Sequence, residues 1–255
     1  MTEQAGIDRA AGVGRGASIL AACVAVCALS TAHAAVDPGP AAAPRTDFVV
    51  PAAGTYQLQE IQRTSDAELL DTAGRARHLT EFTHGKITLL TFFYTSCTDP
   101  LGCPFGYVTL SQLRARVVTD ARLASAVRFV NVSLDPLQDT PAVIRRYAAR
   151  FTSDPRFEWS FLTAASIPQL LPVLDNFGQD VSVETDPRGR PTRVLHHMLK
   201  VFLIDTRGVV REIYSLAYLQ PDVMLNDIRT LAMSVPSAVL RRRRGVRNRS
   251  RHGSP

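Results

Sequence analysis

At 255 residues and 45% hydrophobic composition the chain can bury a proper core, and it does not read as collagen-like, coiled-coil or disordered throughout. The formal charge is +6, but seven arginines stand in the last fifteen residues, at 241–244 and at Arg247, Arg249 and Arg251, so everything else sums to about −1. The basicity belongs to a tail, and a basic body built to bind nucleic acid is excluded.

Residues 1–34 read as a secretory signal peptide: Arg9 and Arg15, the apolar run 17–29, then Ala32-His33-Ala34 as a small-residue cleavage site. Leu20-Ala21-Ala22-Cys23 also resembles a lipobox, although few apolar residues precede it, and an uncleaved segment would serve as an anchor. The expected location is the periplasm, after export. Cleavage removes Cys23 and Cys27 and leaves Cys97 and Cys103. One cysteine pair in an exported chain is a staple, a redox couple or a metal site. A staple closing so short a loop adds little, because the entropic gain grows with loop length, so redox or metal chemistry is favoured.

Residues 35–55 are rich in Ala and Pro and read as a loose linker, and residues 56–235 as the folded domain. The continuous apolar run 87–95 predicts a buried parallel strand, and 108–118 carries apolar residues at helical spacing. Residues 127–134 predict a second strand, followed by Asp139-Thr140-Pro141, a helix start with proline in its first turn. A short strand at 159–162 precedes a helix at 167–177 that Gly178 ends. Residues 199–204 and 209–214 flank Asp205-Thr206-Arg207-Gly208 as a hairpin, and a helix over 221–234 closes the domain. The order predicts an α/β fold: a mixed sheet with helices on both faces and a hairpin late in the domain. The stretch 236–255 is Arg-rich with too few apolar residues to pack. It is expected to be disordered, with anionic lipid headgroups as its main candidate contact.

Cys97 and Cys103 lie between the first buried strand and the following helix, at a strand's carboxyl end, where ligands gather in open α/β sheets. Pro104 suits the first helical position, which would make Cys103 the N-cap, with the helix dipole favouring its thiolate and lowering the pKa of Cys97. Tyr94 and Trp159 read as core or rim aromatics, and His78 and His84 as surface residues.

Four blocks in order carry a resemblance to a family: Gly85-Lys86 leading into ITLLTFFYTSC, Cys103-Pro104, Val132-Ser133-Leu134-Asp135-Pro136 with Asp139-Thr140-Pro141 behind it, and His197 eight residues before Asp205. Together they resemble the Sco/SenC copper proteins, thioredoxin-like proteins that assist assembly of cytochrome c oxidase, over about residues 56–231. The chain departs from the family's usual spacing, with five residues between the cysteines instead of three. The resemblance implies that Cys97, Cys103 and His197 bind a copper ion. Two thiolates and an imidazole are a soft set of three, which suits copper and falls short of the four ligands of a structural zinc site. His196 competes with His197 for the ligand role, but in an extended segment it points to the opposite face. Asp135 is a candidate second-shell partner.

The resemblance implies an exported copper metallochaperone serving a membrane-bound respiratory oxidase, and a thiol-disulfide reductant that keeps its cysteines reduced. Substrate turnover is not implied, so an enzyme in the ordinary sense is not expected. The alternative is a thiol-disulfide oxidoreductase using Cys97 and Cys103 without copper, against which the five intervening residues argue. A peroxidase, faintly suggested by Thr95-x-Cys97, lacks the expected Pro-rich lead-in.

Overall fold

A computed structural model describes residues 49–234, so the expected signal peptide, most of the expected 35–55 linker and the Arg-rich stretch 236–255 lie outside the described residues. Three short strands, β1 (Gln62–Arg63), β2 (Glu68–Asp71) and β3 (Ala76–His78), and the one-turn helix α1 (Thr80–Thr83) lead into β4 (Ile87–Phe93). Then follow α2 (Cys103–Val117), α3 (Ala121–Ala126), β5 (Val127–Ser133), α4 (Pro141–Ala148), β6 (Glu158–Thr163) and α5 (Ile167–Phe177). The chain continues through β7 (Val181–Thr185), β8 (Pro191–His197), β9 (Lys200–Ile204), β10 (Val209–Ser215) and α6 (Pro221–Ser234).

Every residue of β4 and β5 is buried, which explains the unbroken apolar runs. The two faces of β4 feed two cores. Ile87, Leu89 and Phe93 point into one with α2, α4 and α6, while Leu90 and Phe92 point into the other with α5. The eight-stranded sheet runs β1-β10-β9-β4-β5-β6-β2-β3, with β4, β5 and β6 mutually parallel and the remaining pairs antiparallel. This is the mixed sheet with helices on both faces that the sequence predicts. The hairpin of 199–204 and 209–214 is β9 and β10, turned at Gly208 with φ of 78°.

Several elements escape the sequence pattern. β1, β2, β3 and α1 are too short for a period to register, and α3 packs through Leu123 alone among its six residues. The second hairpin, β7 with β8, pairs Val181 with His197 and Ser182 with His196 and has no buried residue. Its alternation is therefore invisible to a hydrophobic reading. Its turn is held by Asp186, which accepts from the backbone N–H groups of Arg188 and Arg190 at 2.9 Å each and from the Arg190 guanidinium. Among the described residues no helix is long and apolar enough to cross a membrane.

Candidate functional site

Register brings the site together. β4 and β9 are antiparallel with Thr91 opposite Val201, so the residues leaving the carboxyl end of β4 lie beside those entering β9. The first group includes Tyr94 and Cys97, and the second His197 and Met198. These four line one cavity of about 710 Å³, walled by the cysteine loop on one side and the β7–β8 hairpin on the other.

The loop between the cysteines is ordered by Asp99, whose side chain accepts from Leu101 N and whose carbonyl accepts from Gly102 N, each at 3.0 Å. The wider spacing is thus taken up as a local turn ahead of α2. That helix begins at Cys103 with Gly102 as its N-cap, one position earlier than the proline predicts. Both cysteines are free thiols, Cys97 half-buried and Cys103 buried.

The charge sits on Cys97 rather than Cys103, which corrects the expectation of a dipole-stabilised Cys103 thiolate. The Cys103 thiol donating to Cys97 pulls the latter down to about 3. Partial burial opposes the shift, while His197 and the backbone N–H groups of Cys103 and Asp99 reinforce it. The same hydrogen bond, then burial and the neighbouring thiolate, push Cys103 far above the ordinary thiol range. Tyr94, read from the sequence as a core or rim aromatic, belongs to the site. Its ring packs edge-on to His197 at 6.0 Å between centroids. Burial, the Cys97 charge and a hydrogen bond from the phenol to that sulfur raise its pKa to about 12.

His196 and His197 both border the cavity, but the geometry separates them. His197 is half-buried and bonded to Cys97, whereas His196 is exposed and stands 4.0 Å from Glu184. His197 Nδ1 lies 3.3 Å from the Met198 carbonyl, a contact that holds the ring where it also reaches the Cys97 sulfur. Gln179, which sequence reasoning missed, supports this contact. It is buried just past α5, where its N–H caps the helix on Leu174 O at 2.9 Å. Its Nε2 donates to the carbonyls of Asp180 (3.1 Å) and Met198 (3.3 Å).

Asp135 lies two residues beyond β5 and does not line the cavity; it accepts from Gln138 N at 3.3 Å, and burial pushes its carboxyl up. The carboxylate that reaches the cysteine segment is Asp139, buried at the start of α4. It accepts from Thr95 N (3.1 Å), the Thr95 hydroxyl and Ser133 Oγ (2.6 Å), tying the strand carrying Cys97 to β5. Trp159 is a core residue donating to Asn131 Oδ1 at 2.7 Å, and His78 and His84 are exposed. The acid-rich signal for Asp139 was present in Asp139-Thr140-Pro141 but reads equally as an ordinary helix start.

Among the described residues no three His, Cys, Asp or Glu side chains stand at metal-coordinating separation. The two sulfurs and the imidazole are instead joined by hydrogen bonds around Cys97. As a donor set they fit a soft monovalent cation: one thiolate, one thiol and one imidazole nitrogen, three ligands beside an open cavity.

A SCO2-like protein of Rickettsia felis is 27% identical over 160 residues, covering 62% of this chain and 73% of the relative. Two solved structures superpose on the described fold. ScoI of Bradyrhizobium japonicum with copper bound matches at 24% identity and a TM-score of 0.54, covering 66% of this chain and 99% of that one. Apo Sco1 of Thermus thermophilus matches at 25% identity and 0.56, covering 72% and 98%. The mixed sheet flanked by helices is the thioredoxin-like architecture of these Sco proteins. Residues 57–233 match the SCO1/SenC family, to which the chain therefore belongs.

Proposed function

We propose that the protein is an exported copper-binding metallochaperone that holds cuprous ion through Cys97, Cys103 and His197 and serves the copper centre of a membrane-bound respiratory oxidase. The observation that carries the reading is the convergence of Cys97 and His197, 100 residues apart, at the rim of one cavity, with the buried Cys103 thiol bonded to Cys97 behind them. Family membership supports it, as does the copper found in the Bradyrhizobium relative. Bound copper would add a cation to neutralise a second thiolate. The chain's own residues hold the ligands in place: Gln179 and the Met198 carbonyl orient the imidazole, Tyr94 donates to the Cys97 sulfur, and Asp139 fixes the strand end. The signal-like pattern of residues 1–34 supports a location outside the cytosol as a processed or anchored protein, where a thiol-disulfide reductant would keep the pair reduced. Fractionation of cells expressing the full chain tests that location, and recovery in the cytosol refutes it.

The decisive experiment is anaerobic titration of the reduced protein with cuprous ion against a competing chelator. One-to-one binding weakened about tenfold or more by His197→Ala and further by Cys103→Ser is expected. Wild type binding no better than Cys103→Ser overturns the copper reading.

A second reading, a thiol-disulfide oxidoreductase without copper, rests on the asymmetry of the pair. An ionised, half-exposed Cys97 beside a protonated, buried Cys103 is the arrangement of an attacking and a resolving thiol. Under that reading thiol-disulfide exchange proceeds with no cuprous ion bound, and His197→Ala changes it only through the Cys97 pKa that the imidazole helps to lower.

A further inference from the structure

We propose that Met198 is a soft docking ligand for cuprous ion at the mouth of the cavity that Cys97 and His197 line, receiving the metal before the cysteine sulfurs close on it and holding it as they let go. The inference rests on the copper reading above and adds a donor to it.

Met198 lies at the junction of β8 and β9, directly after His197. Its side chain is 62% exposed, yet it lines the same cavity as Cys97 and His197. The other described methionines are placed differently: Met224 is fully buried in the core, and Met233 lies beside Gly54 near the end of α6. Lone exposed apolar side chains are common on protein surfaces. What sets Met198 apart is that its backbone is fixed, because its carbonyl accepts from both Gln179 Nε2 and His197 Nδ1 at 3.3 Å. Gln179 is itself buried, so the backbone from which the thioether extends into the cavity is rigidly supported.

The chemistry of a thioether suits this place. It is neutral and needs no deprotonation, binds cuprous ion in preference to harder divalent ions, and binds weakly enough to release it. Of the pair only Cys97 reaches the cavity, because Cys103 is buried and its thiol is engaged with Cys97, so Met198 supplies a second sulfur at the mouth. In the capture step a bond from copper to the Met198 sulfur forms as a bond to the delivering ligand breaks. That bond then breaks as the Cys97 thiolate and Cys103 take over, the Cys103 proton leaving to solvent. Copper stays cuprous throughout, so no oxidant or reductant is consumed.

The test uses the reduced full chain and cuprous ion delivered from a chromophoric chelator in a stopped-flow apparatus, comparing wild type with Met198→Leu. Leucine keeps size and apolarity at an exposed position, so folding is preserved, and an unchanged Cys97/Cys103 midpoint potential verifies it. Transfer slowed by about tenfold with equilibrium affinity nearly unchanged is expected. In a parallel sample labelled with 13C-methyl methionine, the Met198 resonance should shift on adding cuprous ion to Cys103→Ser while that of Met233 stays put. Equal transfer rates together with an unmoved Met198 methyl overturn the inference and leave the copper reading intact. A wild type that takes up no cuprous ion overturns the copper reading itself.

Discussion

Cys97 owes its low pKa to four donors gathered around one sulfur: the Cys103 thiol first, then His197 and two backbone N–H groups. An alkylating agent at about pH 5 should therefore modify Cys97 and leave Cys103, since only a thiolate attacks and Cys103 is both protonated and buried. Peptide mapping by mass spectrometry reads the outcome, and equal labelling of the two would contradict the asymmetry. Replacing Tyr94 with Phe removes the phenol that donates to the same sulfur, so the pH midpoint for Cys97 labelling should move upward. The cysteine pair and His197 were legible because their residue types are rare in this chain and stand in recognisable blocks. Gln179 was not, because a glutamine carries no chemical signature until its amide is seen bridging two carbonyls.

The elements around the site are tied by a single buried carboxylate. Asp139 serves Thr95 N–H, the Thr95 hydroxyl and Ser133 Oγ, linking the exit of β4 to β5 and to the start of α4. Asp139→Ala leaves those donors unpaired in a buried setting and should cost about 2–3 kcal/mol. Chemical denaturation measures the loss, while an unchanged midpoint would mean the donors find other partners. The long buried strands were readable from their apolar runs, and α5 and α6 from their spacing and end signals, Gly178 at φ 55° among them. The β7–β8 hairpin was not, although it carries His196 and His197. Both of its faces are largely solvated, and backbone pairing with the Asp186 turn holds it in place of core packing.

Across the whole molecule, Asp205 shows how a turn far from the cavity can set the acid limit of stability. Burial pushes its carboxyl up, but the backbone N–H groups of Val209 and Arg207 and the guanidinium groups of Arg207 and Arg211 outweigh it and hold the group below the usual carboxylate range. The unfolded chain, with an ordinary aspartate, then binds more protons than the folded one in that interval. The stabilisation is complete above the ordinary aspartate pKa and is lost as pH falls through the depressed folded value. Asp205→Asn should lower stability at neutral pH and flatten this acid-side fall, as read from thermal unfolding across a pH series. A variant with the same acid slope as wild type would assign the slope to other groups. Asp227 acts with the opposite sign. Burial raises its carboxyl between the Tyr56 and Tyr214 hydroxyls, so its contribution is present at low pH and lost as pH rises through the raised value.

Local pattern alone determined the α/β class, the two central parallel strands, the β9–β10 hairpin and the closing helices, because burial and turn geometry leave marks within a few positions; the copper ligand set came only from the family resemblance. Only the tertiary structure decided which cysteine holds the charge, which histidine faces it, and which carboxylate braces it. Those outcomes depend on the β4–β9 register, on the Cys103–Cys97 contact across the loop and on hydrogen bonds between residues 44 to 100 positions apart, and no local period records them.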